Sequence, residues 1–480
     1  MKIVIIGAGI SGCAAYLTLR KHLPPPPPPT QDHEYTIYEA HSTSSSNPTI
    51  GGALGIAPNG LRILERLDSD LLRDAVRGGY MVNHGNLKDK HGRVLMRLPC
   101  SSSSTTTSSG GSDKGKEIHL LGTSRHNIWQ CLRARVPDEI IINKRVASVR
   151  AHSTERNVIT FVDGSEPVEA DLVVGADGLW SVVRKALFDG EDAYPPHYEG
   201  LIGIGGFLPT PRDSDIPLPG AGSMNFLFSG SGFFGYFYSN TSSPDTSDTS
   251  SAYSVSSSPG NTIAWWTTYS PPHTSTPPKS QNINIDMNDM LAQLHTRYTT
   301  WTDPLVHHIL NSIEVESIYP TWTTPPLPTW SKEGIVLVGD AAHALPTTSG
   351  QGASQALEDA EVLARLVAHE VGIIYQQQMS GGMVSGIDIL SRVGEKQALQ
   401  MACKKYMGMR MPRVQRILDR ARTVQGSKRD SRFGWVGELV MYWGMWILGF
   451  FPSLLSRQQQ EVFDYDLPGE VERVLDEFTS

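Results

Sequence analysis

The run KIVIIG at residues 2–7 leads into an Ala/Leu-rich stretch to about His22 and then into EYTIYE at 34–39. That succession predicts strand, helix, strand. DLVVGAD (171–177) and GIVLVGD (334–340) predict two more strands, apolar throughout as buried parallel strands tend to be. The middle of the chain differs. Residues 200–208, 223–239 and 261–269 are rich in Gly, Phe, Tyr and Trp with partial alternation, which predicts antiparallel strands. From about residue 387 the pattern turns helical. The expectation is an α/β, Rossmann-like nucleotide domain whose strands are split around an inserted antiparallel sheet.

Four polar stretches interrupt these patterns: Pro24–Pro29, 101–109, 241–260 and 271–280. They hold too little apolar surface to offset the entropy of ordering, so they are expected to be loops between elements. With 480 residues, the chain exceeds a typical single core, and two interleaved domains are expected. A net charge of −8 argues against a nucleic-acid surface. The cysteines Cys13, Cys100, Cys131 and Cys403 lie far apart with no CxxC, which suggests neither zinc nor a disulfide framework and fits a reducing, intracellular compartment. Glycines interrupt the apolar N-terminal run, so it reads as a strand rather than a signal peptide.

GAGISG (Gly7–Gly12) follows the first strand and opens a helix, as a dinucleotide fingerprint requires. Gly7 permits the tight turn, Gly9 lets backbone approach a pyrophosphate, and Gly12 lets helix and strand pack. N–H groups at the helix start would face the anion. Glu39 ends the second strand, where an acid is expected to bind a ribose hydroxyl. A second match, GSGFFG (Gly230–Gly235), runs into Tyr236, Phe237 and Tyr238 with no helix, and reads as a hairpin of the middle sheet.

The stretch Gly334–Glu361 crosses from strand to helix through a long loop. It has an acid at the strand tip, Asp340, and glycines at 350 and 352 where a helix begins. Taken alone, Asp340 also reads as a helix cap. Together, GAGISG with Glu39, DLVVGADGLWSVVR (Asp171–Arg184) and GDAAHALPTTSGQGASQALEDA (Gly339–Ala360) resemble the group A FAD-dependent monooxygenases, which have the p-hydroxybenzoate hydroxylase fold. The stretches 51–68, 123–136 and 404–421 support the resemblance, which spans residues 1 to about 425.

The resemblance implies an FAD-binding part at 1–80, 117–190 and 330–380. It places a substrate part at 81–116 and 191–329, and a C-terminal helical region at 381–480. It implies FAD contacts by Asp340 on the ribityl chain or ribose, by Arg125, by Asp177 and Gly178, and by Ala53 and Ala353 in their motifs. Gly350 and Gly352 would bring a helix N-terminus, with its partial positive charge, to the flavin ring. His343 is given no catalytic role. The implied reaction takes NAD(P)H and dioxygen and passes through a flavin C4a-hydroperoxide. The expected product is a hydroxylated or epoxidised aromatic, indole or alkene of fungal secondary metabolism. An FAD-dependent oxidase or dehydrogenase of the same fold is the alternative. No metal site is expected, and a substrate base is not identifiable.

The family often carries an arginine soon after the acid corresponding to Glu39, and another in the first strand of the substrate part. Here the chain reads HSTSSSNPTIGG and GLIGIGGF (Gly200–Phe207), which speaks against a small anionic phenol. Phe226, Phe228, Phe233, Phe234, Tyr236, Trp265 and Trp266 offer aromatic surface for a flat, apolar substrate, with two or three expected to touch it. The segment 435–455 is the most apolar of the chain. Leu439–Leu455 would reach roughly 26 Å as a helix, slightly short of a bilayer core. Three readings are open for it: a helix packed on the catalytic domain, an interfacial anchor, or a membrane span.

Overall fold

The computed structural model describes residues 1–28, 30–41, 52–102, 118–213, 215–230, 232–242, 258–269, 287–312, 317–380, 387–426 and 434–477. The stretch after Glu39 that lacks an arginine, most of three polar insertions and the basic residues Lys428, Arg429 and Arg432 lie outside these residues. The helices are α1 (Ile10–His22), α2 (Pro58–Leu67), α3 (Ser69–Arg77), α4 (Arg125–Arg133), α5 (Val182–Ala186), α6 (Met287–Tyr298) and α7 (Pro304–Ser312). Then come α8 (Asp340–His343), α9 (Gly352–Ser380), α10 (Ile387–Gly426), α11 (Gly434–Leu448), α12 (Pro452–Phe463) and α13 (Leu467–Glu477).

The apolar runs assemble into one six-stranded sheet. Its order is Ser331–Lys332, Ile335–Leu337, Leu172–Gly175, Lys2–Ile6, Glu34–Glu39 and Ile141–Asn143. All neighbours are parallel except the first pair. Ile3, Ile5, Val173, Val174, Val336 and Leu337 are nearly or fully buried, in a core shared with α1, α9 and the three-stranded antiparallel sheet of Val146–Arg150, Asn157–Phe161 and Val168–Ala170. Parallel pairing has a functional consequence: the strands from 2, 172 and 335 all end at one edge. Gly7, Asp177 and Gly339 are brought together there although more than 300 positions of sequence separate the first from the last.

The glycine- and aromatic-rich middle forms a seven-stranded sheet. Its order is Ser317–Thr323, His197–Pro209, Thr262–Tyr269, Gly232–Tyr238, Ser223–Ser229, His84–Lys88 and Val94–Pro99. The expected antiparallel pairing holds for the strands from 197, 223, 232 and 262. The pair Ser223–Ser229 and His84–Lys88 is parallel, a crossover not visible in the alternation. Strands Ser223–Ser229 and Gly232–Tyr238 form the hairpin expected of GSGFFG.

Strand alternation divides the aromatic residues between two faces. Phe234, Tyr236 and Trp265 join Met290, Leu294, Tyr298 and Trp301 in a core beneath α6 and α7. These three members of the expected substrate surface therefore fill the sheet's own interior. Phe226, Phe233, Phe237 and Trp266 lie on the opposite face. That face meets a small sheet of Ala53–Ile56, Leu120–Ser124 and Gly79–Val82.

Candidate functional site

The three fingerprint glycines each carry a distinct steric signature. Gly7 has φ +103°, and a Cβ there would lie 2.4 Å from the Ala176 carbonyl oxygen. A Cβ on Gly12 would lie 1.9 Å from the Gly7 oxygen, so α1 can pack this closely only without one. A Cβ on Gly9 would meet nothing within 4 Å. The first and third glycines are thus demanded by the protein itself, whereas the second faces open space. No acidic residue occupies the first turn of α1, leaving the positive end of its dipole uncompensated.

Glu39 closes this corner. Its Oε2 accepts a hydrogen bond from the Ala8 N–H at 2.7 Å and its Oε1 one from the His41 N–H at 2.9 Å. Each oxygen keeps a lone pair for a further donor. The Trp129 indole donates to the Ala8 carbonyl at 2.8 Å, tying α4 to the same loop.

Asp177 follows the strand Leu172–Gly175. Its Oδ2 accepts from the N–H groups of Val182 and Val183, at 2.7 and 3.1 Å, and so caps α5. Its Oδ1 is buried without a hydrogen-bond partner. Burial raises its pKa above the ordinary aspartate range, against the hydrogen bonds that lower it. An orphaned carboxylate oxygen is costly unless a ligand or water satisfies it. Gly178 next to it has φ +73° and open space where a Cβ would stand. Arg184 is structural: buried, it donates to the carbonyls of Ala341 and Leu179 at 3.1 and 2.8 Å, lashing this loop to α8.

Asp340 opens α8 and is exposed, with no hydrogen bond or ion pair to its carboxylate among the described residues. It does not cap a helix through its side chain. Its position is dictated by Gly339, whose φ of +59° and tight fit against Ser11 and Ala356 exclude any side chain. Gly350 is left-handed at φ +58°, and neither it nor Gly352 has an atom within 4 Å of a built Cβ. Gly350 precedes, and Gly352 opens, a helix of 29 residues with no acid in its first turn. The half-buried Ala353 follows.

The Ala53 and Arg125 motifs form a second corner. Ala53 pairs with Ser124, and the Arg125 N–H donates to the Gly52 carbonyl at 3.2 Å. The Arg125 side chain is exposed at the N-terminal end of α4, with no ion pair among the described residues. A cation there is unfavourable with respect to the helix dipole unless an anion joins it. The two corners are joined through α9: the Ser354 hydroxyl accepts from the Ala57 N–H at 3.2 Å and sits against Gly60.

Two features escaped the sequence reading. Tyr319, on the edge strand of the large sheet, lays its hydroxyl over Gly52, 2.8 Å from where a Cβ would be. It thereby reaches Gly52, whose carbonyl accepts from the Arg125 N–H. The other feature lies behind Asp340. The Gly339 N–H donates to Asp359 Oδ2 at 2.8 Å, and His343 Nε2 lies 2.5 Å from the same oxygen. Arg410 donates to Asp359 Oδ1 at 2.8 Å and also binds Glu358, which Arg413 grips at 2.7 and 2.8 Å. All of these side chains are buried. Burial alone would raise both acids, but Arg413 and Arg410 bring Glu358 down to about 2, and His343 with Arg410 brings Asp359 down to about 2. The signal was present: ED inside GASQALEDAE and two arginines inside MRMPRV interrupt helices that are otherwise apolar on one face.

Burial pushes the thiols of Cys13, Cys100 and Cys403 up to about 12, so none is poised as a nucleophile. All four cysteines are free. No cluster of metal-ligating side chains occurs among the described residues.

Open glycines at two helix starts, an orphaned buried carboxylate oxygen, an exposed acid and an exposed cation suit an elongated ligand with an anionic centre and hydroxyl-bearing arms. FAD has those features. The FAD binding domain family matches residues 305–372. Rice chloroplastic zeaxanthin epoxidase (Oryza sativa subsp. japonica) is 25% identical over 380 residues, covering 76% of this chain and 48% of that protein. The FAD-dependent monooxygenase andE of Emericella variicolor is 24% identical over 384 residues, covering 77% and 70%. The chain spans about half the length of the zeaxanthin epoxidases it matches. Among solved structures, a salicylate hydroxylase substrate complex superposes with a TM-score of 0.66 at 18% identity, covering 99% of this chain and 98% of that one. The chain thus carries a segment of the FAD binding domain family, is similar in sequence to FAD-dependent monooxygenases, and shares the fold of a salicylate hydroxylase.

Proposed function

We propose that this protein is an NAD(P)H-dependent monooxygenase that hydroxylates or epoxidises a flat, apolar, electron-rich small molecule with dioxygen. FAD is held by Gly7, Gly9 and Gly12 at the pyrophosphate and by Glu39 at a ribose. Asp340 and Arg125 bind along the chain between the nucleotide and the ring, with Ala53 beside Arg125. Asp177 and Gly178 supply the orphaned acceptor, and Gly350, Gly352 and Ala353 present the start of α9 to the ring. When bound, FAD supplies the redox chemistry: reduction by NAD(P)H and activation of dioxygen. The protein's share is orientation, electrostatics and exclusion of water. The helix start of α9 favours negative charge, and the exposed Asp340 has an acceptor free for a hydroxyl.

The observation that carries this reading is the aromatic face opposite those groups. Phe226, Gly235, Trp266 and Gly205 are cross-strand neighbours in one row, and Phe228, Phe233, Thr268 and Gly203 in the next. Phe226, Phe228 and Trp266 are only partly buried. The missing Cβ atoms of Gly203 and Gly205 leave the wall flat where a planar substrate would lie, and the strand Gly200–Phe207 carries no arginine to hold a carboxylate. Residues 1–80, 117–190 and 330–380 then form the FAD-binding part, and 81–116 with 191–329 the substrate part.

The test is direct. Purified protein should be yellow and should bleach with NAD(P)H. Its NAD(P)H oxidation should be stimulated by neutral polycyclic aromatics, indoles or alkenes, with label from dioxygen appearing in product. Stimulation by small hydroxybenzoates alone would refute the substrate class. Turnover without label would make the protein an oxidase or dehydrogenase. Protein that stays colourless after incubation with FAD would refute the whole reading.

A further inference from the structure

Helix α11 is built with its polarity reversed. Gly437, Glu438, Met441, Tyr442, Gly444 and Met445 recur every three or four residues and are half-buried, defining its inward face. On that face Glu438 pairs with Lys90 at 2.8 Å. The Tyr442 hydroxyl lies 2.8 Å from both the Phe228 carbonyl and Glu438 Oε1. The outward face carries Trp435, Val440 and Trp443, with Phe450 just past the helix end; these four are between 59% and 77% exposed, with Leu439 and Trp446 between them. Trp443, Trp446 and Phe450 stack edge to face at 5.9 and 4.8 Å into one aromatic ridge. A soluble surface helix shows the opposite arrangement, and an exposed apolar patch of this extent marks an interaction surface.

Charge around the ridge narrows the choice of occupant. Glu438 is the sole acid of α11 and is turned inward. The strand Val94–Pro99, on which both α11 and α12 pack, exposes Arg97, and Arg93 precedes it. Neither arginine forms an ion pair among the described residues. Arg457 is exposed on α12, and the exposed acid of that helix, Glu461, is paired with Arg420. Tryptophan-rich apolar surface rimmed by unpaired cations is the chemistry of a helix lying in the headgroup layer. The helix has 15 residues, and α12 begins after a break at Gly449–Phe451. Among the described residues no helix is long and apolar enough to cross a membrane.

We infer that α11 is an in-plane anchor that seats this protein on an anionic phospholipid surface. The anchor holds the Phe228 carbonyl, and Phe228 belongs to the aromatic wall proposed above. A lipid-dissolved substrate would therefore meet the enzyme beside its pocket, a consequence that rests on the proposed function, whereas the anchoring itself does not.

The test uses the full chain with FAD and flotation with vesicles of phosphatidylcholine, with or without phosphatidylserine. The wild-type protein should float with the mixed vesicles. The triple variant Trp435→Ser, Trp443→Ser, Trp446→Ser should lose at least about tenfold in bound fraction while keeping its melting temperature. Arg93→Ala and Arg97→Ala should each weaken binding about fivefold, on phosphatidylserine-containing vesicles only. Wild-type protein that floats with neither vesicle, or a triple variant that floats as well as wild type, would overturn the inference. So would a dimer in light scattering that the triple variant dissolves while vesicles capture neither, since the ridge would then cover a second copy. Flotation needs no turnover, so loss of either result leaves the other standing.

Discussion

Helices α9 and α11 violate the ordinary distribution of polarity in opposite directions. In α9, Glu358 and Asp359 are fully buried, and both find guanidinium partners from α10. In α11, tryptophans and aliphatics are exposed, and the aromatic ones among them stack on one another rather than in a core. The difference teaches how to read a breach of pattern. A buried charge that is fully partnered is a device of internal geometry, here fixing the Gly339 N–H and hence the chain just before Asp340. An exposed apolar face with no internal partner looks outward, to something outside the chain.

The largest effect should come from breaking the internal device. Arg410→Met leaves two buried carboxylates with fewer counter-charges, and thermal or urea denaturation should show a loss of about 3–5 kcal/mol. Acid titration sharpens the test. Glu358 and Asp359 have folded pKa values near 2, depressed below their unfolded values of about 4. Their contribution is present above the unfolded values and is lost as pH falls from there toward 2. The variant should therefore show a weaker stability loss across that window, having less left to lose.

Next come the glycines, where the same substitution separates fold from ligand. Gly12→Ala puts a methyl 1.9 Å from the Gly7 oxygen and should cost about 1–3 kcal/mol of stability as well as the flavin. Gly9→Ala meets no protein atom and has an ordinary φ of −74°, so its melting temperature should stay near wild type. Its FAD affinity, read by fluorescence quenching, should nonetheless fall by tenfold or more. Equal FAD affinity in Gly9→Ala and wild type would remove the pyrophosphate from this loop.

Much of this was legible in the sequence. Apolar runs of four or five residues gave the buried parallel strands, and strand tips ending in glycine or aspartate marked the edge where Gly7, Asp177 and Asp340 meet. The aromatic strands showed their alternation but not which phase faced inward, because both phases are aromatic: Phe233 and Phe234 are equally apolar, and packing of α6 and α7 decides between them. Tyr319 was illegible for another reason, since its contact with Gly52 depends on how two sheets meet. The pairing of Glu358 and Asp359 with Arg410 and Arg413 spans about 50 residues, and periodicity within one helix cannot report a partner on the next.

A smaller loss is expected at Asp340. Its carboxylate is exposed and makes no hydrogen bond or ion pair among the described residues, so Asp340→Ala should change stability by no more than about 0.5 kcal/mol. Removing one charge-assisted hydrogen bond should lower FAD affinity by roughly 1.5–3 kcal/mol, measured by flavin titration. A large loss of stability with unchanged affinity would return Asp340 to the helix-cap reading.

The smallest effect belongs to the seam beneath α11. Burial favours the neutral form of Glu438, but hydrogen bonds from Lys90 and Tyr442 outweigh it and hold the carboxyl below the ordinary glutamate range. A depressed folded pKa means that the seam is tight above that range and loosens as pH falls through it. Glu438→Gln should cost about 1 kcal/mol or less, because a partly buried pair at the edge of a sheet recovers most of its loss from water. The quantity to measure is tryptophan fluorescence of α11 from neutral pH down to the acid range. Wild type should change as Glu438 takes up a proton, and Glu438→Gln should be flat over the same interval. The variant still carries every residue of the outward ridge, so its vesicle binding at neutral pH should match wild type. Loss of binding in Glu438→Gln would mean that the inward contacts set the pose of the ridge, and that α9 and α11 share more than a reversed polarity.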